Sequence, residues 1–170
     1  ERLTFDSRAY SPVFISKDSS IAFISTYDGG QNLNLLSLKT KKTRQITKFD
    51  ERPMISHLNY DELSHSLYFD ITFHHFREIY NYNFNDSAIT TFKNNTLYDE
   101  RNMALDSFSG VKIYSRDKSG IFNLYMIDEK NESEGYISNV TGGAFMPDIS
   151  NDGKVIFSLF QNGGYKISIL

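Results

Sequence analysis

With 170 residues, 39% hydrophobic content and no cysteine, the chain suffices for one domain with a core and excludes disulfides, thiolate metal sites and a cysteine nucleophile. A formal net charge of −3 without a basic stripe excludes the electrostatic footprint of a nucleic-acid binder. No apolar run reaches the length of a membrane span, so no membrane insertion is expected.

The 14 Phe and 11 Tyr, with no Trp, lean the composition towards half-buried pleated surfaces. Taken in chain order, the apolar segments are short, alternating, and broken every 8–12 residues by turn residues, which predicts strands. An extended segment at 2–5 opens the chain. A first unit follows: a strand at 12–15, a turn at Lys17-Asp18-Ser19-Ser20, a strand at 21–25, a hairpin at Tyr27-Asp28-Gly29-Gly30, and strands at 33–38 and 44–47. In the second unit a strand begins near Pro53-Met54-Ile55, and further strands are predicted at 66–71, 79–84 and 89–92. The third unit has strands at 111–115, 122–127 and 136–141 around the turn Asp117-Lys118-Ser119-Gly120. The fourth has strands at 147–149, 155–159 and 165–170, with turns at Asn151-Asp152-Gly153-Lys154 and Gln161-Asn162-Gly163-Gly164.

These units repeat. Thr4 to Thr47 is 43 residues, Phe23 to Phe69 is 46, Phe69 to Tyr114 is 45 and Tyr114 to Phe157 is 43. That period matches one four-stranded propeller blade, and no long stretch carries the three- and four-residue apolar spacing that helical repeats require. The fold class predicted is all-β: a single β-propeller domain over 1–170, with blades at about 10–48, 52–93, 101–141 and 144–170. Three blades are complete. The fourth has three strands, A–C, at the C-terminus, and the expectation is that residues 1–5 supply its outer strand D and close the ring. The first residue is Glu1 rather than Met, and the chain reads as a piece of a longer protein.

The stretch 140–158, with Val140-Thr141-Gly142-Gly143, Met146-Pro147-Asp148-Ile149-Ser150 and Asn151-Asp152-Gly153-Lys154, resembles the TolB-type propeller repeat, a relative of the WD-repeat families. Ser115-Arg116-Asp117-Lys118-Ser119-Gly120 followed by Asn123-Leu124-Tyr125-Met126 is similarly close. The resemblance covers nearly the whole chain; Ile149 stands where the repeat has an aromatic and Asn151 where it has a second proline. It implies a bacterial, extracytoplasmic or periplasmic protein whose propeller docks partners. Similar propellers also accompany peptidases, so a propeller portion of a larger hydrolase that recognises peptides is the alternative.

No Gly-x-Ser-x-Gly, His-Glu-x-x-His, Gly-x-Gly-x-x-Gly or phosphate-loop motif occurs, so no enzyme activity and no cofactor are expected. The His74-His75 pair, with Glu78 or Asp70, is the metal candidate; a solvated hairpin explains it better, since adjacent strand residues point to opposite faces. Asp28, Asp117 and Asp152 are oxygen-bearing but are explained by turn chemistry. Two glycosylation-like sequons, at 94–96 and 139–141, carry nothing further. The expected working surface is the propeller face that carries the B–C turns and the D–A connections (6–8, 50–52, 98–101 and 142–145). Its candidate partner-binding residues are Tyr27, Asp28, Arg52, Phe76, Arg77, Tyr98, Arg101, Arg116 and Phe145, because exposed Tyr and Arg are favoured hot-spot residues. The expected partner is a protein. A homodimer completing a larger ring is a further expectation, since four blades around one axis crowd the inner strands.

Overall fold

The computed structural model describes residues 1–5, 7–17, 19–73, 75–93 and 97–170. Asp6, Asp18, His74 and the sequon at 94–96 lie outside them. The described residues form fifteen strands and no helix, in four antiparallel sheets. The first sheet is β1 (Arg8–Ile15), β2 (Ser20–Tyr27), β3 (Gly30–Ser37) and β4 (Thr43–Gln45). The second is β5 (Met54–Asp61), β6 (Ser66–Phe73), β7 (Phe76–Asn83) and β8 (Ile89–Thr91). The third is β9 (Glu100–Asp106), β10 (Val111–Arg116), β11 (Asn123–Asp128) and β12 (Ser133–Tyr136). The fourth has three strands, β13 (Ala144–Ile149), β14 (Val155–Gln161) and β15 (Gly164–Ile169). Within each sheet the strands pair in chain order, which is the meander of a propeller blade.

Period-two alternation gives every inner sheet two buried faces. On β6, Leu67, Phe69 and Ile71 point towards the first sheet and pack with Ile15, Ile24 and Leu33. Tyr68 on the other face packs with Met103 and Tyr114 of the third sheet. Ile113 and Leu124 then pack with Ala144, Val155 and Phe157 of the fourth. Each junction between sheets thus has its own core. The residues that set the repeat in the sequence (Phe23, Phe69, Tyr114 and Phe157) occupy corresponding buried positions on the second strand of each sheet. Two hairpins close as the sequence requires, with Asp28-Gly29 and Asn162-Gly163 in left-handed conformation at two-residue loops.

The ring does not close through the N-terminus. Residues 1–5 form no strand, and no strand of the first sheet contacts one of the fourth. Instead Leu3 and Thr4 lie along the open face of the first sheet with Ala9, Pro12, Ile21, Phe23 and Leu36. The physical reason is the filling between sheets: Phe69 and Tyr82 fill the first junction, Tyr68 and Tyr114 the second, and three such junctions leave the first and fourth sheets out of contact, as an open arc. Both ends of the arc carry exposed apolar side chains, Phe14 at one and Ile167 and Ile169 at the other.

A second difference concerns the outer strands. The third sheet ends on Ser133–Tyr136, earlier than the 136–141 predicted. Ser138, rather than Thr141, is the counterpart of Thr47. Asn123 Oδ1 accepts from Ser138 Oγ and Val140 N, while Ser138 Oγ accepts from Leu124 N. In the first sheet Asn32 Oδ1 accepts from Thr47 Oγ1 and Phe49 N, and Thr47 Oγ1 accepts from Leu33 N. The same clamp thus holds both D–A connections to their third strands.

Candidate functional site

The innermost strand of every sheet is interrupted at one place. Register shifts occur between Tyr10 and Val13, Ser56 and Asn59, opposite Ile113 and Ser115, and between Phe145 and Asp148. Within each lies a non-glycine residue at positive φ: Ser11 (49°), His57 (56°), Asn102 (57°) and Met146 (51°). An extra residue in one strand of an antiparallel pair kinks it and turns backbone groups out of the ladder. At the junction of the second and third sheets such groups are taken up by the neighbouring sheet. Met103 O accepts from His57 Nε2 at 3.1 Å and from Asn59 Nδ2 at 2.6 Å. The backbone N–H of Asn102 donates to both carboxylate oxygens of Asp70, at 3.0 and 3.1 Å. Burial also lowers the pKa of His57, which favours the neutral ring donating to that carbonyl.

Above this line of bulges the B–C turns and D–A connections are tied to one another. Arg77 N donates to Asp99 Oδ1 at 3.0 Å, and Asp99 N donates to Asp117 Oδ1 at 2.8 Å. The candidate residues divide into separate groups on this rim. Tyr27, Asp28 and Arg52 stand together between the first two sheets; the Arg52–Asp28 pair, at 3.6 Å, is largely exposed and stabilises little. Phe76 is half-exposed beside Phe73 and Tyr80, with Glu78 on the same side. Arg116 is drawn inwards: its Nε lies 3.2 Å from Glu100, its guanidinium stacks on Tyr98 and Tyr125 at 4.6 Å each, and its Nη2 donates to Tyr98 Oη. That arrangement leaves Arg116, with Tyr98 stacked on it, mainly an internal tether.

Arg101 and Phe145 come together differently. The Arg101 guanidinium lies 3.9 Å over the Phe122 ring and 5.4 Å from the Phe145 ring. The rings continue as a row: Phe122 to Phe145 at 5.1 Å, Phe145 to Tyr165 at 6.2 Å, Tyr165 to Phe160 at 5.1 Å. Two glycines in the preceding connection permit this. A Cβ on Gly142 would meet Phe160 O at 1.9 Å, and one on Gly143, at φ 145°, would meet the Phe145 ring at 2.5 Å. Arg101 makes no ion pair or hydrogen bond among the described residues, and its Nε is buried. Its pKa is lowered by burial first and then by the nearby positive charge of Arg77.

Sequence reasoning does not single out Phe122, Phe160 or Tyr165. The available signal was their position: each flanks a B–C turn already placed on this face. The metal candidates are not brought together. Asp70 faces the third sheet, buried against Asn102 N, while Glu78 points the other way with Ile71 and Tyr80. His74 lies outside the described residues, among which no group of three His, Cys, Asp or Glu side chains gathers as a metal site. Burial raises the pKa of Asp70 to about 7, opposed by Asn102 N and by Arg77 and Arg101. Glu100 is likewise raised to about 7 by burial, against the pull of Arg116.

No protein-family profile and no curated protein matches the chain. Solved structures do. TolB from Acinetobacter baumannii superposes with a TM-score of 0.74 at 20% identity over 96% of this chain. A putative TolB from Agrobacterium tumefaciens gives 0.72 at 13% identity over 92%. A puromycin hydrolase gives 0.74 at 10% identity over 95% of this chain, which is 27% of its own length. The chain spans 41% and 58% of the lengths of the two TolB chains. These likenesses establish the fold, a TolB-type β-propeller of blade-like sheets in an open arc.

Proposed function

We propose that this chain is a non-catalytic, protein-binding part of a propeller in an extracytoplasmic bacterial protein, working through the face of its B–C turns and D–A connections. The observation that carries the reading is the row of rings ending on Arg101: aromatic and arginine side chains fixed by a rigid scaffold and left open to a partner. The likeness to TolB structures and the repeat resemblance support it, and so does the extracytoplasmic location that resemblance implies. Affinity capture from a bacterial envelope extract tests the reading. A captured protein is expected to be lost on Arg77→Glu with Arg101→Glu, and kept on Phe108→Ser in an A–B turn of the opposite face. Capture of nothing under native conditions, or capture indifferent to the reversal, overturns it.

A second reading is favoured by the puromycin hydrolase likeness: the same face would gate or recognise peptides for a hydrolase domain elsewhere in the polypeptide. A hydrolase domain in the parent reading frame, together with loss of its peptide selectivity on Arg101→Glu, would favour that reading. The exposed apolar side chains at both ends of the arc favour pairing with further blades, of which a second copy is one source. Light scattering that gives a strict monomer removes the second copy.

A further inference from the structure

We propose that the Arg101 shelf takes an extended peptide that carries an Asp or Glu side chain two positions from an apolar residue; this deepens, and rests on, the protein-binding reading.

Three observations define the ligand. The first is charge. Arg101 and Arg77 sit close enough to repel, and neither has a carboxylate partner within ion-pair distance among the described residues; Arg77 Nε reaches only Thr72 Oγ1, at 3.4 Å. The acidic groups around them are committed elsewhere, to the backbone: Asp99 to Arg77 N, Asp117 to Asp99 N, and Asp70 to Asn102 N. The arginine donors are therefore not consumed by the carboxylates beside them. A planar guanidinium fork matches a carboxylate. The flanking acidic groups favour a single negative charge over a dianion, so a carboxylate suits the site better than a phosphate.

The second observation is shape. The guanidinium is held over the Phe122 ring at 3.9 Å with the Phe145 ring at 5.4 Å, so two rings restrict it before any ligand arrives, and a preorganised donor loses less freedom on binding. The third is spacing. From Arg101 to the Phe145 ring is 5.4 Å, and from Phe145 to the well-exposed Tyr165 ring is 6.2 Å. An extended chain advances about 3.3 Å per residue and returns side chains to one face every second residue. Neighbouring positions on the shelf thus match alternate residues of an extended peptide: the carboxylate on Arg101, and the apolar side chain on the Phe145–Tyr165 rings.

Fluorescence anisotropy on the full chain tests this with three labelled heptapeptides: Gly-Ser-Asp-Ser-Leu-Ser-Gly, the same peptide with Asn for Asp, and one with Asp and Leu adjacent. The first is expected to bind about tenfold more tightly than either other peptide, a preference that weakens as salt is raised. Arg101→Gln and Tyr165→Ser should each abolish the preference at unchanged melting temperature. Arg101→Lys, which keeps the charge and the fold but not the planar fork, should give an intermediate value. Equal binding of the three peptides, a preference that survives Arg101→Gln, or displacement of the acidic peptide by millimolar inorganic phosphate overturns the proposal. Should the peptides fail while a captured protein is still lost on the Arg77 and Arg101 reversals, the carboxylate assignment falls and the binding-face reading stands.

Discussion

The two faces of the second sheet are built from the same strands but in opposite chemistry. Towards the first sheet, β6 presents Leu67, Phe69 and Ile71, and the junction is completed by Phe49, Phe73, Tyr80 and Tyr82. Phe49 meets the rings of Phe69 and Phe73 at 6.5 and 6.2 Å. Towards the third sheet the same strand presents Tyr68 and Asp70, and the junction buries Asp61, Asp70, Glu100 and Lys112. The dry face gains from apolar area removed from water, which is indifferent to direction. The polar face gains less per contact, because charges must be desolvated, but each contact fixes one geometry. The polar junction is also the one whose bonds run up to the rim, through Asp70 to Asn102 and through Arg77 to Asp99 and Asp117. Stability and placement of the candidate site are thus divided between two faces of one sheet.

Four substitutions break this comparison, from the largest effect to the smallest. Phe69→Ala empties the centre of the dry face and is expected to cost about 3–5 kcal/mol, read as a fall in the denaturant midpoint. On the polar face, Lys112→Met removes the buried ammonium that lies 2.6 Å from Glu129 and 3.9 Å from Asp61. That leaves the buried Asp61 without its counter-charge, and about 3 kcal/mol should be lost although an apolar group has been added. A gain in stability would show the polar face to be only a weaker version of the dry one.

The third substitution concerns pH. Asp70 and Glu100 hold their protons up to about pH 7 in the folded chain, whereas an unfolded aspartate, at 3.8, has released its proton. Between those values the folded state binds more protons than the unfolded one, so stability falls as pH rises from about 4 to about 7. Asp70→Asn should remove the share of that slope that Asp70 carries, measured as melting temperature against pH. A slope unchanged by Asp70→Asn contradicts the burial assigned to this carboxyl. Smallest is Asn59→Ala: Met103 O keeps its bond from His57, so only about 1 kcal/mol should go.

What the sequence revealed follows from the same division. Phe23, Phe69, Tyr114 and Phe157 are legible because a buried centre demands a large ring at each repeat, and the residue type itself carries the signal. The bulges at Ser11, His57, Asn102 and Met146 recur just as regularly but share no chemistry, since the demand there is on the backbone. The third outer strand, at Ser133–Tyr136, departs from the predicted 136–141 for a related reason. Val140-Thr141 looks like Ile46-Thr47, yet the hydrogen bonds of Thr47 are made by Ser138. Strand counting predicts closure by the N-terminus, but it does not contain the angle between sheets. Of the site, the face and residues Arg101 and Phe145 were legible from turn positions. The shelf was not, because Arg101, Phe122, Phe145 and Tyr165 are scattered along the chain and meet only through the curvature of the arc.

The most direct measurement is photo-crosslinking in an envelope extract from a benzophenone side chain placed either at Tyr165, on the shelf, or at Phe108, a still more exposed ring in an A–B turn of the opposite face. The expected result is one protein adduct from position 165, lost on Arg101→Gln, and none from position 108. The same adduct from both positions, or an adduct from 108 alone, would contradict a binding surface on the B–C and D–A face.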